Sequence, residues 1–184
     1  MAIKEKLHEE TLSTSYLYRG IIINVRQDQV KTKGEKTAFR EVVEHPGAVA
    51  ILAFNNQSEI ILVRQHRQPA GEVMLEIPAG KIDPGEDPLQ CARREMLEET
   101  GLEAASWIDL YTYYSSPGFC DEKIYLYLAE NMRETASSTG DVEENLRIET
   151  ISLPEAKKQI ENGGIKDGKT IIAIQYALIK NSIN

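Results

Sequence analysis

The sequence predicts an α/β (α+β) fold in which a few helices pack on sheet faces. Three observations carry this. Short runs rich in β-branched and aromatic residues outnumber the helical stretches. The helical stretches are few, and each carries its own start and stop signals. The chain has 184 residues, 41% hydrophobic and 27% charged, which suits one folded core with ordinary solubility. Residues 1–45 form a β-rich N-terminal segment, and residues 46–184 hold the main domain.

In order, a short polar lead is followed by YLYRGIIINVRQDQV (16–30), which mixes β-branched and aromatic residues in alternation. A Gly-centred turn, KTKGEK, leads to a returning strand, TAFREVVEH. This hairpin has few large apolar residues and has to pack on the rest of the chain or on a second subunit. GAVAILAFN (47–55) is almost continuously apolar, as in a strand buried on both faces. EIILVRQHR (59–67) and EVMLEIPAG (72–80) follow. A strand from Trp107 breaks at Ser116-Pro117-Gly118, and EKIYLYLAE (122–130) alternates cleanly. Residues 131–145 are polar and carry Asp141, Glu143 and Glu144, a loop long enough to suggest function. LRIETISL is a strand, LPEAKKQIENGG a helix, and residues 169–180 a closing apolar-rich helix.

The most informative stretch is GKIDPGEDPLQCARREMLEETGL, residues 80–102. Asp87 is a good N-cap, Pro88 suits the first helical position, Gln90 lies where a capping-box partner would, and Gly101 can end the helix in a left-handed conformation. Leu89, Ala92, Met96 and Thr100 share one arc and form the buried stripe. Glu95, Glu98 and Glu99 share a second arc. They are like charges at helical spacing, and two of them lie in the last turn, where the helix dipole disfavours anions. A solvated face salted by Arg93 and Arg94 is the ordinary explanation of such a run; a cation-binding site is the functional one.

Composition bounds the partners. The formal net charge is −8, without Lys/Arg stripes, which argues against nucleic-acid binding. The N-terminus lacks an apolar leader region and no apolar run is long enough to span a bilayer, so neither secretion nor a membrane is expected, and the cytoplasm is. Cys91 and Cys120 lack metal-type spacing and are expected as reduced thiols.

Gly80, Glu86, Arg94-Glu95, Glu98-Glu99 and Gly101-Leu102, with Met96 and Leu102 in aliphatic positions, resemble the Nudix hydrolase signature Gly-x5-Glu-x7-Arg-Glu-U-x-Glu-Glu-x-Gly-U at every specified position. Seven identities at about 7% usage each coincide by chance in roughly one register in a hundred million. The resemblance implies a Nudix-type α/β/α sandwich with a mixed β-sheet, and hydrolysis of a nucleoside diphosphate linked to another moiety. It implies Mg²⁺ or Mn²⁺, two or more ions per site, bound by Glu95, Glu98, Glu99 and the carbonyl of Ala79. Gly80, Glu86, Arg94 and Gly101 would then be structural, with Arg94 pairing a carboxylate such as Glu86.

The flanks REVVEHPGAVAIL, VRQHRQPAGEVMLEIPAGKID and YSSPGFCDEKIYLYLA resemble the ADP-ribose pyrophosphatase subgroup. That resemblance implies ADP-ribose as substrate, cleaved to AMP and ribose 5-phosphate. It implies substrate contacts from Arg40, Arg67, Glu76 and Pro117, and a late-loop metal ligand or base, Glu144 or its rival Glu143, beside Glu98. It also implies a homodimer with exchanged N-terminal segments that bind adenine, where Tyr16 or Tyr18 could stack. Another nucleotide sugar, such as GDP-mannose, or a broad set of them is the alternative substrate. A non-catalytic ligand-sensing module is the alternative of a different class.

Overall fold

The computed structural model describes residues 7–135 and 146–183. The chain divides into two compact units. One comprises residues through Gly47 together with Tyr114–Lys123, and the other Ala48–Tyr113 with Ile124–Asn184.

The first unit is a three-stranded antiparallel sheet of β1 (Glu10–Arg19), β2 (Asn24–Lys31) and β3 (Thr37–Glu44), in the order β1-β2-β3. The expected single strand over residues 16–30 is in fact two. The chain turns at Gly20, whose N–H donates to the carbonyl of Ile23 (2.9 Å), and the polar lead ETLSTS is itself β-structure. Its low hydrophobicity hides a strand whose ten residues are all exposed. Residues 114–123 join this unit through Val43, whose N–H donates to the Phe119 carbonyl (2.7 Å) and whose carbonyl accepts from Asp121 N (3.1 Å).

The second unit is built on β4 (Ala48–Ala53), β5 (Glu59–Arg67), β6 (Glu72–Glu76), β7 (Ala79–Lys81), β8 (Leu102–Tyr114), β9 (Lys123–Glu134) and β10 (Arg147–Ser152). Its helices are α1 (Pro88–Thr100), α2 (Leu153–Glu161) and α3 (Gly168–Ile183). One sheet has the order β7-β4-β9-β8 and the other β10-β5-β6. β4 pairs parallel with β9 and antiparallel with β7, so the sheet is mixed, as the family resemblance implies.

β4 explains the layering. Its alternate side chains point to opposite faces. Val49, Ile51 and Ala53 pack with Cys91, Ala92 and Met96 of α1. Ala50 and Leu52 pack with Leu153 and Ala156 of α2 and with Ala173, Ile174 and Ala177 of α3. An almost unbroken apolar sequence is therefore required, because neither face reaches water. Helices on both faces of the sheet make the α/β/α arrangement.

Candidate active site

The first turn of α1 is fixed by Asp87, whose Oδ1 accepts from Leu89 N (3.0 Å) and Gln90 N (3.2 Å). Its last turn closes at Gly101, in the left-handed region at φ 70°, whose N–H donates to the Leu97 carbonyl. Met96, fully buried against β4, anchors the helix by about 2 kcal/mol of apolar transfer. That anchoring sets the rotation of the acidic arc.

The arc is not a solvated face. Glu99 is 8% exposed and the Glu95 side chain 14%; Glu98, at 45%, alone behaves as a surface charge. Glu99 accepts from the N–H of Ala79 on β7 (3.1 Å). Glu95 lies against the backbone of Gly80, where an added Cβ would stand 1.8 Å from its carboxyl carbon. Glycine is required there because the carboxylate occupies the space of a side chain.

Arg94 organises the loop before the helix. Its Nε and Nη2 donate to the two oxygens of Glu86 (2.9 and 3.0 Å), a bidentate fork. Its Nη1 donates to Glu95 (2.7 Å) and Glu98 (2.9 Å). The Arg94 hydrogen bonds, helped by the Asp83 amide, hold the Glu86 carboxyl down at about 2, and Arg94 itself is held above its ordinary range. Beneath the fork, burial and the neighbouring Glu86 push the Cys91 thiol up to about 12, so it stays neutral.

Among the described residues no group of three His, Cys, Asp or Glu side chains is gathered for a metal ion. The donor chemistry nevertheless fits a hard divalent cation. Glu95, Glu98 and Glu99 offer only oxygen, and the Gly80 cradle seats one of those carboxylates beside the β7 backbone. An ion held by Glu95 and Glu98 would compete with Arg94 Nη1 for the oxygens it now binds.

A second polar cluster lies at the end of β6. Glu76, 1% exposed, receives a bidentate fork from Arg67 Nε and Nη2, both at 2.8 Å. It also accepts from Lys169 of α3. Lys169 donates in turn to Asp167 (3.0 Å), the cap of α3, which accepts from Thr170 N (3.0 Å) and from the Thr170 hydroxyl. The Thr170 hydroxyl oxygen accepts from Ile77 N (2.9 Å). Burial would raise the Glu76 carboxyl, but the hydrogen bonds from Arg67 and the charge of Lys169 outweigh it and hold it below its usual range. Arg67 is held above its ordinary value by that fork, and it feels the charge of Glu99.

The structure thus brings Ala79, Gly80, Glu86, Arg94, Glu95, Glu98 and Glu99 together, and places Arg67 and Glu76 on each other. Arg40 belongs to the N-terminal unit, where it is paired with Glu9 through Nε (3.0 Å) and Nη2 (2.6 Å). Pro117 lies in the Ser116 turn of the same unit, closed by Phe119 N to the Ser116 carbonyl (3.1 Å). The Tyr16 ring is covered by the Arg19 guanidinium at 3.6 Å. Glu143 and Glu144 fall outside the described residues. Lys169, Asp167 and Thr170 were not legible as site residues. Asp167 and Thr170 have cap-like spacing, which gives a helix start but not a contact with a residue 93 positions away.

A Nudix domain model matches residues 44–171. Over 97% of both chains the protein is 39% identical to a methanol dehydrogenase activator of Bacillus methanolicus. It is 36% identical, with the same coverage, to an ADP-ribose pyrophosphatase of Bacillus subtilis (strain 168). A crystal structure of an ADP compounds hydrolase superposes with a TM-score of 0.80 over 95% of each chain at 21% identity, a likeness of fold. No helix among the described residues is long and apolar enough to cross a membrane.

Proposed function

The chain belongs to the Nudix hydrolase family, and on that footing we propose that it hydrolyses the diphosphate of ADP-ribose, giving AMP and ribose 5-phosphate in a divalent-metal-dependent reaction. The observation that carries the reading is the acidic arc of α1, with Glu99 tied to the Ala79 amide and Glu95 seated on Gly80. The Bacillus subtilis relative, an ADP-ribose pyrophosphatase by name, supplies the substrate.

In this reading Glu95, Glu98, Glu99 and the Ala79 carbonyl hold Mg²⁺ or Mn²⁺, two or more ions. When bound, such ions neutralise the diphosphate and polarise the phosphoryl group under attack. Water adds to one phosphorus, a bridging P–O bond breaks, and the proton passes to a carboxylate: Glu98, Glu144 or Glu143. Arg67 and Glu76 serve the phosphate end of the substrate, Arg40 and Pro117 its remainder. Gly80, Glu86, Arg94 and Gly101 keep the loop and helix in shape. A cytoplasmic homodimer with exchanged N-terminal segments completes the proposal.

The test is AMP release by the purified protein with Mg²⁺, scored as kcat/KM across ADP-ribose, GDP-mannose, NADH and oxidised nucleoside triphosphates. ADP-ribose should rank first. Glu99→Gln should lower turnover at least about a hundredfold, a loss of several kcal/mol of transition-state stabilisation, with an unchanged circular dichroism spectrum. A fully active Glu99→Gln variant sinks the metal site, and a flat ranking sinks the substrate. A second reading rests on the name of the Bacillus methanolicus relative: the protein raises the activity of a methanol dehydrogenase, which a coupled assay with and without it would show.

A further inference from the structure

The cluster around Glu76 combines features that the hydrolysis chemistry alone does not demand. Glu76 is a fully buried carboxylate, and an uncompensated buried charge is costly. Two cations meet it. Lys169 is deep, with its side chain 12% exposed, and Asp167 fixes it from the other side. Arg67 is shallower, its side chain 38% exposed. The fork to Glu76 uses Nε and one hydrogen of Nη2. A guanidinium has five N–H donors, so the edge bearing Nη1 and the second Nη2 hydrogen is turned away from Glu76. A planar edge of that kind, fixed in orientation, is a pre-organised donor for a phosphoryl or carboxylate oxygen.

We propose that Lys169 is a positioning residue for anion recognition: anchored by Asp167 at the start of α3, it fixes the Glu76 carboxylate, and Glu76 in turn aims Arg67 at a phosphate of the ligand. The proposal rests on the reading that a diphosphate compound is bound here, and it deepens that reading by extending the phosphate site to the C-terminal helix. The chain of contacts runs Asp167, Lys169, Glu76, Arg67, each link a charge-assisted hydrogen bond. With Lys169 in place the cluster holds two carboxylates and two cations, so Arg67 is free to offer its outer edge while its inner edge stays on Glu76. Without Lys169 the arginine alone has to neutralise a buried carboxylate, and its orientation relaxes toward that task.

The experiment measures equilibrium binding of inorganic pyrophosphate, with Mg²⁺ present, by titration calorimetry on the full chain. The variants are Lys169→Met, Arg67→Met, their double mutant, and Lys169→Arg. Each single Met variant should bind about tenfold more weakly, the loss of one charge-assisted hydrogen bond. The double mutant should be no worse than Arg67→Met alone, because both act through one guanidinium. Lys169→Arg should recover affinity to within about threefold of wild type, since it keeps the charge beside Glu76. With a hydrolysable substrate, Lys169→Met should raise KM by the same factor while kcat changes less than twofold.

Additive losses in the double mutant, full affinity in Lys169→Met, or a wild type that binds no pyrophosphate each overturn the proposal. If Lys169→Met fails to fold, Asp167→Asn takes its place, loosening Lys169 without removing its charge, and the same non-additivity with Arg67→Met is required of it. Should ADP-ribose not be cleaved, the substrate assignment fails, whereas the pyrophosphate cycle still decides the positioning role.

Discussion

Two clusters of carboxylates and cations, one centred on Glu76 and one on Arg94, are built on opposite principles. Around Glu76, two carboxylates meet two cations, the central acid is fully buried, and the hydrogen bonds between these groups satisfy one another. Around Arg94, one guanidinium serves three carboxylates, Glu86, Glu95 and Glu98, and a fourth, Glu99, is tied to backbone. The first is a balanced cluster that fixes geometry. The second carries surplus negative charge in the last turn of a helix, where the dipole adds to its cost. On the proposed reading the first positions a guanidinium and the second takes up a cation, and the balance of charge among the named groups, rather than their residue types, is what distinguishes the two.

The sharpest way to break the contrast is at Gly80. Gly80→Ala puts a methyl group where the Glu95 carboxylate lies. Displacing that carboxylate by an ångström should cost about a hundredfold in activity, as misplacement of reacting groups does. Steady-state kinetics would register it, and near wild-type kcat would mean that the Glu95 position is not demanding.

Stability should divide the two clusters next. Glu76→Gln strands Arg67 and Lys169 beside a neutral buried amide and should lower unfolding free energy by about 3 kcal/mol. Glu98→Gln removes a half-exposed charge from a crowded arc and should change stability by no more than about 0.5 kcal/mol. Denaturant titrations of both proteins compare them directly, and equal losses would erase the distinction.

The smallest effect is in acid. Arg94 holds the folded Glu86 carboxyl at about 2, against 4.5 for the free group. A depressed folded value means that this group's contribution is fully present above about pH 4.5 and is lost as pH falls towards 2. Glu86→Gln should therefore be destabilised relative to wild type at pH 6, with the gap closing between pH 4.5 and 2. A gap that persists at pH 2 would point to packing rather than charge.

Much of this molecule was legible in its sequence, for reasons that differ by region. β4 announced itself because burial on both faces leaves no polar position. α1 was marked by Asp87, Pro88 and Gly101, residues whose local chemistry needs no distant partner. The N-terminal sheet was only half legible. Residues 10–15 are polar but for Leu12, and hydrophobic alternation has little to report on a strand whose residues are all exposed. The three acids of α1 were legible as an oddity, but their unequal burial depends on β7 packing against the helix. The Lys169–Glu76 contact was illegible altogether. It depends on α3 returning to β6 across most of the domain, and no local signal encodes such a return.

The segment from Glu76 to Ala79 is held by four different elements. β5 and α3 grip the Glu76 side chain through Arg67 and Lys169, Thr170 takes the Ile77 amide, Ile51 of β4 donates to the Pro78 carbonyl (2.8 Å), and Glu99 of α1 takes the Ala79 amide. Such a stretch acts as an anvil in the kinetic sense: its amides open only when much of the domain opens with them. Any hinge in this domain has to be borne by other parts of the chain, and the entropy of ordering this stretch is expended during folding.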